Sequence, residues 1–175
     1  GSSPVGRNFA AKYCDWYFAG AQSLDQLASE IADVRAQAAQ HGREVKFIVY
    51  LLMLCRETEE AAQEEVEEIF AHADFESAKD WLETLTGQTV GTVASTLGQG
   101  LSVEEMLRNV VLGVGSGKLI GTPEQVAQEL AQFQEAGVDA VGLTFRHVLE
   151  ELRGFVDKVL PILERKGVRR TLQTA

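Results

Sequence analysis

The chain has 175 residues, of which 45% are hydrophobic and 7% aromatic, and this is enough apolar material for the core of a soluble globular domain. Its 26 acidic residues outnumber the 16 basic ones, so the formal charge of −10 excludes a basic face for nucleic acid and disfavours an anionic membrane surface. The two cysteines have no neighbouring Cys or His at ligand spacing, which indicates neither a disulfide framework nor a zinc site and favours a cytoplasmic location.

Hydrophobic periodicity predicts alternating helices and strands in the first half of the chain. The predicted helices cover residues 5–13, 24–40, 59–72 and 75–85, and the predicted strands cover residues 14–19 and 45–55. The second strand is apolar throughout after Lys46, which is typical of a strand buried on both faces of a parallel sheet. The glutamates of helix 59–72 are predicted to form a solvated outer face, because they lack the spacing of a calcium-binding loop.

The second half continues the alternation after a predicted long loop. Gly- and Thr-rich residues 86–100 show little periodicity and are predicted to form that loop. After it come a helix over 103–112, a turn over 113–117, a strand over 118–121, a helix over 123–135, a strand over 138–145 and a long helix over 148–166. The order predicts an α/β fold with a parallel sheet. Because a closed (β/α)8 barrel usually needs about 250 residues, the sheet is either small and open or part of a barrel.

The candidate ligand site lies at the start of the chain, where Ser2, Ser3, Gly6 and Arg7 precede and open the first predicted helix. A helix N-terminus presents unpaired N–H groups and the positive end of the helix dipole, and both suit a phosphate. The serines would add hydroxyl donors, the glycine would let the backbone approach closely, and the arginine would add a forked cation. Spacing alone is equally consistent with the remnant of an expression tag or a plain N-cap.

Two stretches together resemble the luciferase-like family of flavin-dependent monooxygenases, which includes bacterial luciferase and the alkanesulfonate, dimethyl sulfone and long-chain alkane monooxygenases. They are GSSPVGRNFAAKYCDWYF at the start and LIGTPEQVAQELAQFQEAGVDAVGLTF followed by LEELRGFVDKVLPILERKG. The motifs occur in the family's order over residues 1 to 169. The resemblance implies one domain over 1–175 that is the C-terminal part of a (β/α)8 TIM barrel, with about three or four βα units and a candidate insertion or lid over 86–117.

The resemblance also implies the chemistry of the whole enzyme. FMN, as the reduced co-substrate, would act with O₂ on a small or medium organic molecule, and a flavin reductase would be a partner. Ser2, Ser3, Gly6 and Arg7 would hold the FMN phosphate. Arg146 and His147 follow the last predicted strand, at the end of the barrel where active sites lie, and are candidates for the substrate pocket or for a surface loop. The other histidines, His41 and His72, are predicted to be solvated, and no catalytic or metal-binding residue is assigned.

The first half of such a barrel is absent from the sequence. The chain is therefore expected to be a fragment, a natural truncation, a half-barrel completed by another chain, or a barrel whose first half is not represented. A half-barrel exposes apolar strand edges and faces, which predicts association and favours a homo-oligomer. The alternative function is a non-catalytic α/β module that binds a phosphate-bearing ligand or assembles with a partner chain.

Overall fold

The computed structural model describes residues 3–20, 23–96, 101–113 and 117–170. The strands within them are β1 (Trp16–Phe18), β2 (Lys46–Cys55), β3 (Gly117–Gly121) and β4 (Ala140–Thr144). The helices are α1 (Pro4–Tyr13), α2 (Leu24–Gln40), α3 (Glu59–Ala71), α4 (Phe75–Thr86), α5 (Val90–Thr96), α6 (Val103–Val111), α7 (Pro123–Glu135), α8 (Val148–Gly154) and α9 (Leu160–Arg165), with a π-helical segment at Phe155–Val159. None of the helices in these described ranges is long and apolar enough to cross a membrane.

The predicted long loop over residues 86–100 is wrong in part, because α5 occupies Val90–Thr96. Val90, Val93 and Ala94 lie at helical spacing and are all buried, and the N–H of Val90 donates to Oε1 of Glu83 at 2.9 Å. The intervening Gly and Thr residues lower the helix propensity, so the burial of this short apolar stripe outweighs the local preference.

The predicted helix over 148–166 is not a single α-helix. The N–H of Leu160 donates to the carbonyl of Phe155, five residues back, and this bond belongs to the π segment between α8 and α9. Pro161 follows immediately and has no N–H to donate. The local widening shifts the face that α9 presents relative to α8, which a period of 3.6 residues does not predict.

The sheet is parallel and is built around β2. Strand β1 pairs along the first residues of β2, from Trp16–Lys46 to Phe18–Ile48. Strand β3 pairs along its last residues, from Leu51–Gly117 to Cys55–Gly121, and β4 pairs along its middle. β4 therefore neighbours β2, which precedes it by two strands in the chain.

One face of the sheet is covered by helices. Side chains that alternate along the strands point to this face, and the fully buried ones include Phe47, Val49, Leu51 and Leu119. They pack with buried residues of α2 and α7, namely Leu27, Ile31, Val34, Val126 and Leu130. The hydrophobic core of this part of the chain thus lies between the sheet and the helices.

We call the opposite side of the sheet the second face. The strand register assigns to it these side chains: Trp16, Phe18, Lys46, Ile48, Tyr50, Leu52, Leu54, Lys118, Ile120, Ala140, Gly142 and Thr144. Several of its aromatic side chains are solvent-exposed, and Phe18 is 62% exposed. An exposed aromatic surface on a sheet favours covering by another part of a protein.

The chain divides into two compact units, residues 1–62 with 116–175, and residues 63–115. The second unit has a small core of its own, in which Leu82, Val90 and Val93 are buried against three partly buried side chains of α6, Met106, Leu107 and Val110. A capping box between Ser102 and Glu105 begins α6.

Candidate functional site at the carboxyl ends of the strands

The strands are parallel, so their carboxyl ends lie along one edge of the sheet. Strand β2 is followed there by Arg56 and Glu57, β3 by Thr122, and β4 by the segment 145–147. Thr122 begins α7 with a complete capping box, because its hydroxyl accepts the N–H of Gln125 while the Gln125 side chain accepts the N–H of Thr122. In open and barrel-shaped α/β folds, this edge is where ligands bind.

The start of α1 is an ordered N-cap. Ser3 has extended backbone angles, and its Oγ accepts the N–H of Gly6 at 3.1 Å. Its carbonyl accepts the N–H of Arg7 at 2.9 Å, and the residue is solvent-exposed. Because the hydroxyl oxygen is the acceptor in the cap, its hydrogen can be donated outward. Ser2 lies outside the described residues.

Arg7 is held by α2. Its Nη1 lies 2.9 Å from Oδ2 of Asp33, and the guanidinium side chain is 30% exposed. The other carboxylate oxygen of Asp33 accepts Nε2 of Gln37 at 3.0 Å, and Gln37 in turn accepts Nδ2 of Asn8 at 3.2 Å. The hydrogen bond from Gln37 and the nearby Arg7 cation hold the pKa of Asp33 below its usual range. These contacts orient the first two turns of α1 against α2.

Helix α2 also contacts strand β1. The hydroxyl of Tyr17, which is buried, donates to Oε1 of Glu30. Burial raises the pKa of the Tyr17 phenol, and the hydrogen bond to Glu30 adds to that effect. The phenol is therefore neutral at physiological pH and serves as a donor that links β1 to α2.

Arg56 and Glu151 form a buried ion pair at the carboxyl end of β2. Nη2 of Arg56 lies 2.7 Å from Oε1 of Glu151, whose side chain is only 6% exposed. The same guanidinium donates through Nη1 to the carbonyl of Cys55 at 2.7 Å. The second oxygen of Glu151 accepts the backbone N–H of His147 at 3.1 Å. This carboxylate therefore joins the end of β2 to the segment that leads from β4 into α8.

Sequence reasoning missed Glu151, although the sequence contains a signal for it. Glu151, Phe155 and Val159 are spaced by four residues, and the last of them is fully buried. A carboxylate on the apolar stripe of a helix requires a partner, since an unpaired buried charge is costly. The partner, Arg56, directly follows a buried strand at a distance of 95 residues in the chain.

Arg146 and His147 follow β4 after one intervening residue, Phe145, and both are exposed. His147 is the N-cap residue of α8 and makes no side-chain cap hydrogen bond. His41 and His72 are exposed, and Nδ1 of His72 lies 2.9 Å from the carbonyl of Glu68. Within the described residues, no group of three or more His, Cys, Asp or Glu side chains is placed to hold a metal ion.

The architecture is that of part of a (β/α)8 barrel: a parallel sheet with helices on one face, and polar side chains gathered at the carboxyl ends of its strands. The fold class predicted from the sequence is thereby confirmed. The profile of the luciferase-like monooxygenase family matches residues 1–140, and the chain belongs to this family.

Relatives and solved structures agree with that assignment. An FMNH₂-dependent dimethylsulfone monooxygenase of Pseudomonas putida is 34% identical over 93% of this chain and 45% of its own length. A riboflavin lyase, crystallised with modified FMN and riboflavin, superposes with a TM-score of 0.83 at 25% identity, over all of this chain and 44% of that one. A long-chain alkane monooxygenase gives a TM-score of 0.79 at 25% identity, over all of this chain and 42% of that one. The chain thus spans less than half the length of these proteins.

Proposed function

We propose that this chain is the C-terminal part of an FMN-dependent monooxygenase that uses reduced flavin and O₂ to oxygenate a small or medium organic molecule. Support comes from the family, and from the FMNH₂-dependent dimethylsulfone monooxygenases of Pseudomonas putida and Pseudomonas fluorescens, at 34% and 33% identity. When bound, reduced FMN supplies the electrons for oxygen activation. The protein binds and orients the substrate and excludes water from it.

The observation that carries the proposal is the start of α1. This ten-residue helix begins with an exposed serine cap, and a guanidinium lies one turn further along. We propose that Ser2, Ser3, Gly6 and Arg7 hold the FMN phosphate. Ser3 would donate its hydroxyl hydrogen, the first turn would contribute the positive end of the helix dipole, and Gly6 would leave room for the phosphate oxygens. Arg7 would add charge, with Asp33 fixing its orientation.

The carboxyl end of β4 would contribute to the substrate pocket through Arg146 and His147. The buried Glu151 carboxylate holds the backbone of this segment through the N–H of His147, so the two exposed side chains start from a fixed position. We further propose that residues 86–117 are the variable insertion or lid. Their described part belongs largely to the unit with its own small core, which can vary without changing the core beneath the sheet.

Catalysis would require more of the barrel than this chain provides. Helix α1 exposes an apolar stripe on one side, where Val5 is 80% and Tyr13 is 60% exposed. Helix α8 exposes another, where Leu149 is 76% exposed. Apolar stripes of this kind favour an interface, either with the first half of the barrel or with a second copy in a homo-oligomer. We also propose that a flavin reductase supplies the reduced FMN and that the protein is cytoplasmic.

Flavin binding to the 175-residue chain tests the phosphate site. FMN and riboflavin are titrated separately while flavin fluorescence is followed, since they differ only in the phosphate. We expect the double variant Ser2→Ala/Ser3→Ala to lose about 1 to 3 kcal/mol of FMN affinity, because charged groups lose hydrogen-bond donors. Its riboflavin affinity should be unchanged. Ser102→Ala, which removes the cap of α6, is the matched control and should alter neither affinity.

The same titration distinguishes the proposed function from the alternative, a non-catalytic α/β module. A folded chain that binds no FMN at high micromolar concentration would contradict the cofactor site in this chain. Concentration-dependent association without flavin binding would instead favour the non-catalytic module that assembles with a partner, for which the exposed stripes of α1 and α8 provide a surface.

A further inference from the structure

Helix α6 is held in the second unit by apolar side chains that are only partly buried. No residue from Val103 to Val111 is buried, whereas α3, α4 and α5 each bury at least one apolar side chain. The apolar contacts of α6 come from three side chains that pack on the small core of α4 and α5, namely Met106, Leu107 and Val110. An element with few buried apolar contacts opens at a lower free energy than the core beside it.

Arg108 adds a polar attachment between α6 and α3. Its Nη1 lies 3.4 Å from Oε1 of Glu67 on α3, and its Nε lies 3.3 Å from Oε1 of Glu104, one turn back on α6. The guanidinium carbon lies 4.5 Å from the centre of the Phe70 ring, which is also on α3. A guanidinium that stacks on an aromatic ring and lies beside two carboxylates is well stabilised. One side chain of α6 therefore contacts two residues of α3.

The charge of the unit increases the importance of this arginine. Residues 63–115 contain ten acidic and two basic residues, Lys79 and Arg108, so they carry −8 of the chain's formal charge of −10. Glu67 and Glu104 approach the same guanidinium from α3 and from α6, and they would repel each other without it. Their side chains are 66% and 77% exposed, so each contact is weak and is screened by salt.

We propose that α6 is the moving element of the lid and that Arg108 is its latch, which holds α6 to α3 through Glu67 and Phe70. The inference rests on the proposed function in taking residues 86–117 as the lid. Release of the latch would expose the apolar side of α6 and would leave α4 and α5 packed on each other. Ionic strength would weaken the latch, because salt screens the attraction of Arg108 for the two carboxylates.

Hydrogen exchange of the 175-residue chain, followed by mass spectrometry, tests the latch without flavin. In the wild type, the amides of α6 should exchange faster than those of α4, because α6 opens locally while α4 stays folded. At low salt, Arg108→Met should raise the exchange rate of α6 about fivefold and leave α4 and strand β2 unchanged. Arg108→Lys should lie between the two proteins, since it keeps the charge and loses the planar group.

Salt and a second lysine variant separate the latch from a general structural role. In about 1 M NaCl the ratio of the Arg108→Met rate to the wild-type rate should fall to about twofold, because the ion pairs are then screened. Lys79→Met is the matched control, since it removes the other positive charge of the unit, and it should leave the exchange of α6 unchanged. The exchange of β2 shows whether each variant is folded, and the comparison of α6 with α4 in the wild type needs no variant.

Four results would overturn the inference: equal exchange of α6 and α4 in the wild type, equal acceleration of both by Arg108→Met, a rate ratio that does not depend on salt, or the same effect from Lys79→Met. FMN titration of the same samples distinguishes this inference from the flavin site. FMN binding without the Arg108 effect overturns the latch alone, and the Arg108 effect without FMN binding overturns the flavin site alone.

Discussion

Removing Arg56 should destabilise the protein by leaving the buried Glu151 carboxylate without its cation. The two groups are 2.7 Å apart, and the glutamate side chain is 6% exposed while the arginine is 25% exposed. Breaking a buried ion pair costs about 3 to 5 kcal/mol, and the partial exposure of the arginine places Arg56→Met near the lower value. Urea unfolding at pH 7 measures the loss; with a slope of about 2 kcal/mol per molar, the midpoint should fall by about 1.5 M.

Two further variants isolate the charge. Arg56→Met/Glu151→Gln should recover much of the loss, because the buried group is then neutral and still accepts the N–H of His147. Asp15→Asn is the matched control: its carboxylate lies 2.8 Å from Nη2 of Arg43, but its side chain is 89% exposed. It should cost less than about 1 kcal/mol. A loss below 1 kcal/mol for Arg56→Met, or no recovery in the double variant, would refute the reasoning.

Two other perturbations test the region around β3. Burial lowers the pKa of Lys118 from its ordinary 10.5 to about 8, so between these values the unfolded chain binds more protons and the free energy of unfolding should rise with pH. Urea unfolding from pH 7.5 to 10.5 should show this rise, and Lys118→Met should reduce its slope. Equal slopes for the two proteins would contradict the burial. Gly121→Ala should destabilise by about 2 kcal/mol or more, because φ is +153° and a Cβ would lie 2.4 Å from Oε1 of Gln125. In thermal melts, Gly154→Ala is its control and should be neutral or stabilising, since nothing lies within 4 Å of its added Cβ and its backbone is helical.

The local elements were largely predictable because their signals are contained in short segments. Helix α2 occupies residues 24–40 as its apolar spacing predicts, and α7 begins at the Thr-Pro-Glu-Gln start with both capping hydrogen bonds formed. The strong strand is present at Lys46–Cys55. The errors fall where a segment depends on distant contacts, as in α5, whose Val90 and Val93 are buried in a cluster with side chains of α4 and α6.

The candidate site was less predictable than the fold. A phosphate loop is predicted from small residues before a helix, which is a local signal, and it stays a prediction. The Arg7–Asp33 contact and the Arg56–Glu151 pair each join residues that are distant in the chain. The orientation of Lys118 likewise depends on the pairing of β3 with the distant strand β2. No spacing rule connects such pairs, because loop lengths and strand register decide which side chains meet.

The sequence by itself determined most of the secondary structure, the α/β class and the family, because periodicity, caps and motifs are read within short windows. The tertiary structure decided that β4 pairs with β2, that Glu151 is buried, and that Lys118 points away from the helix-covered face. The physical reason is that pairing and register are collective. A shift of one residue would turn Lys118 into the hydrophobic core, and only the simultaneous packing of Leu119, Leu51 and α7 excludes it.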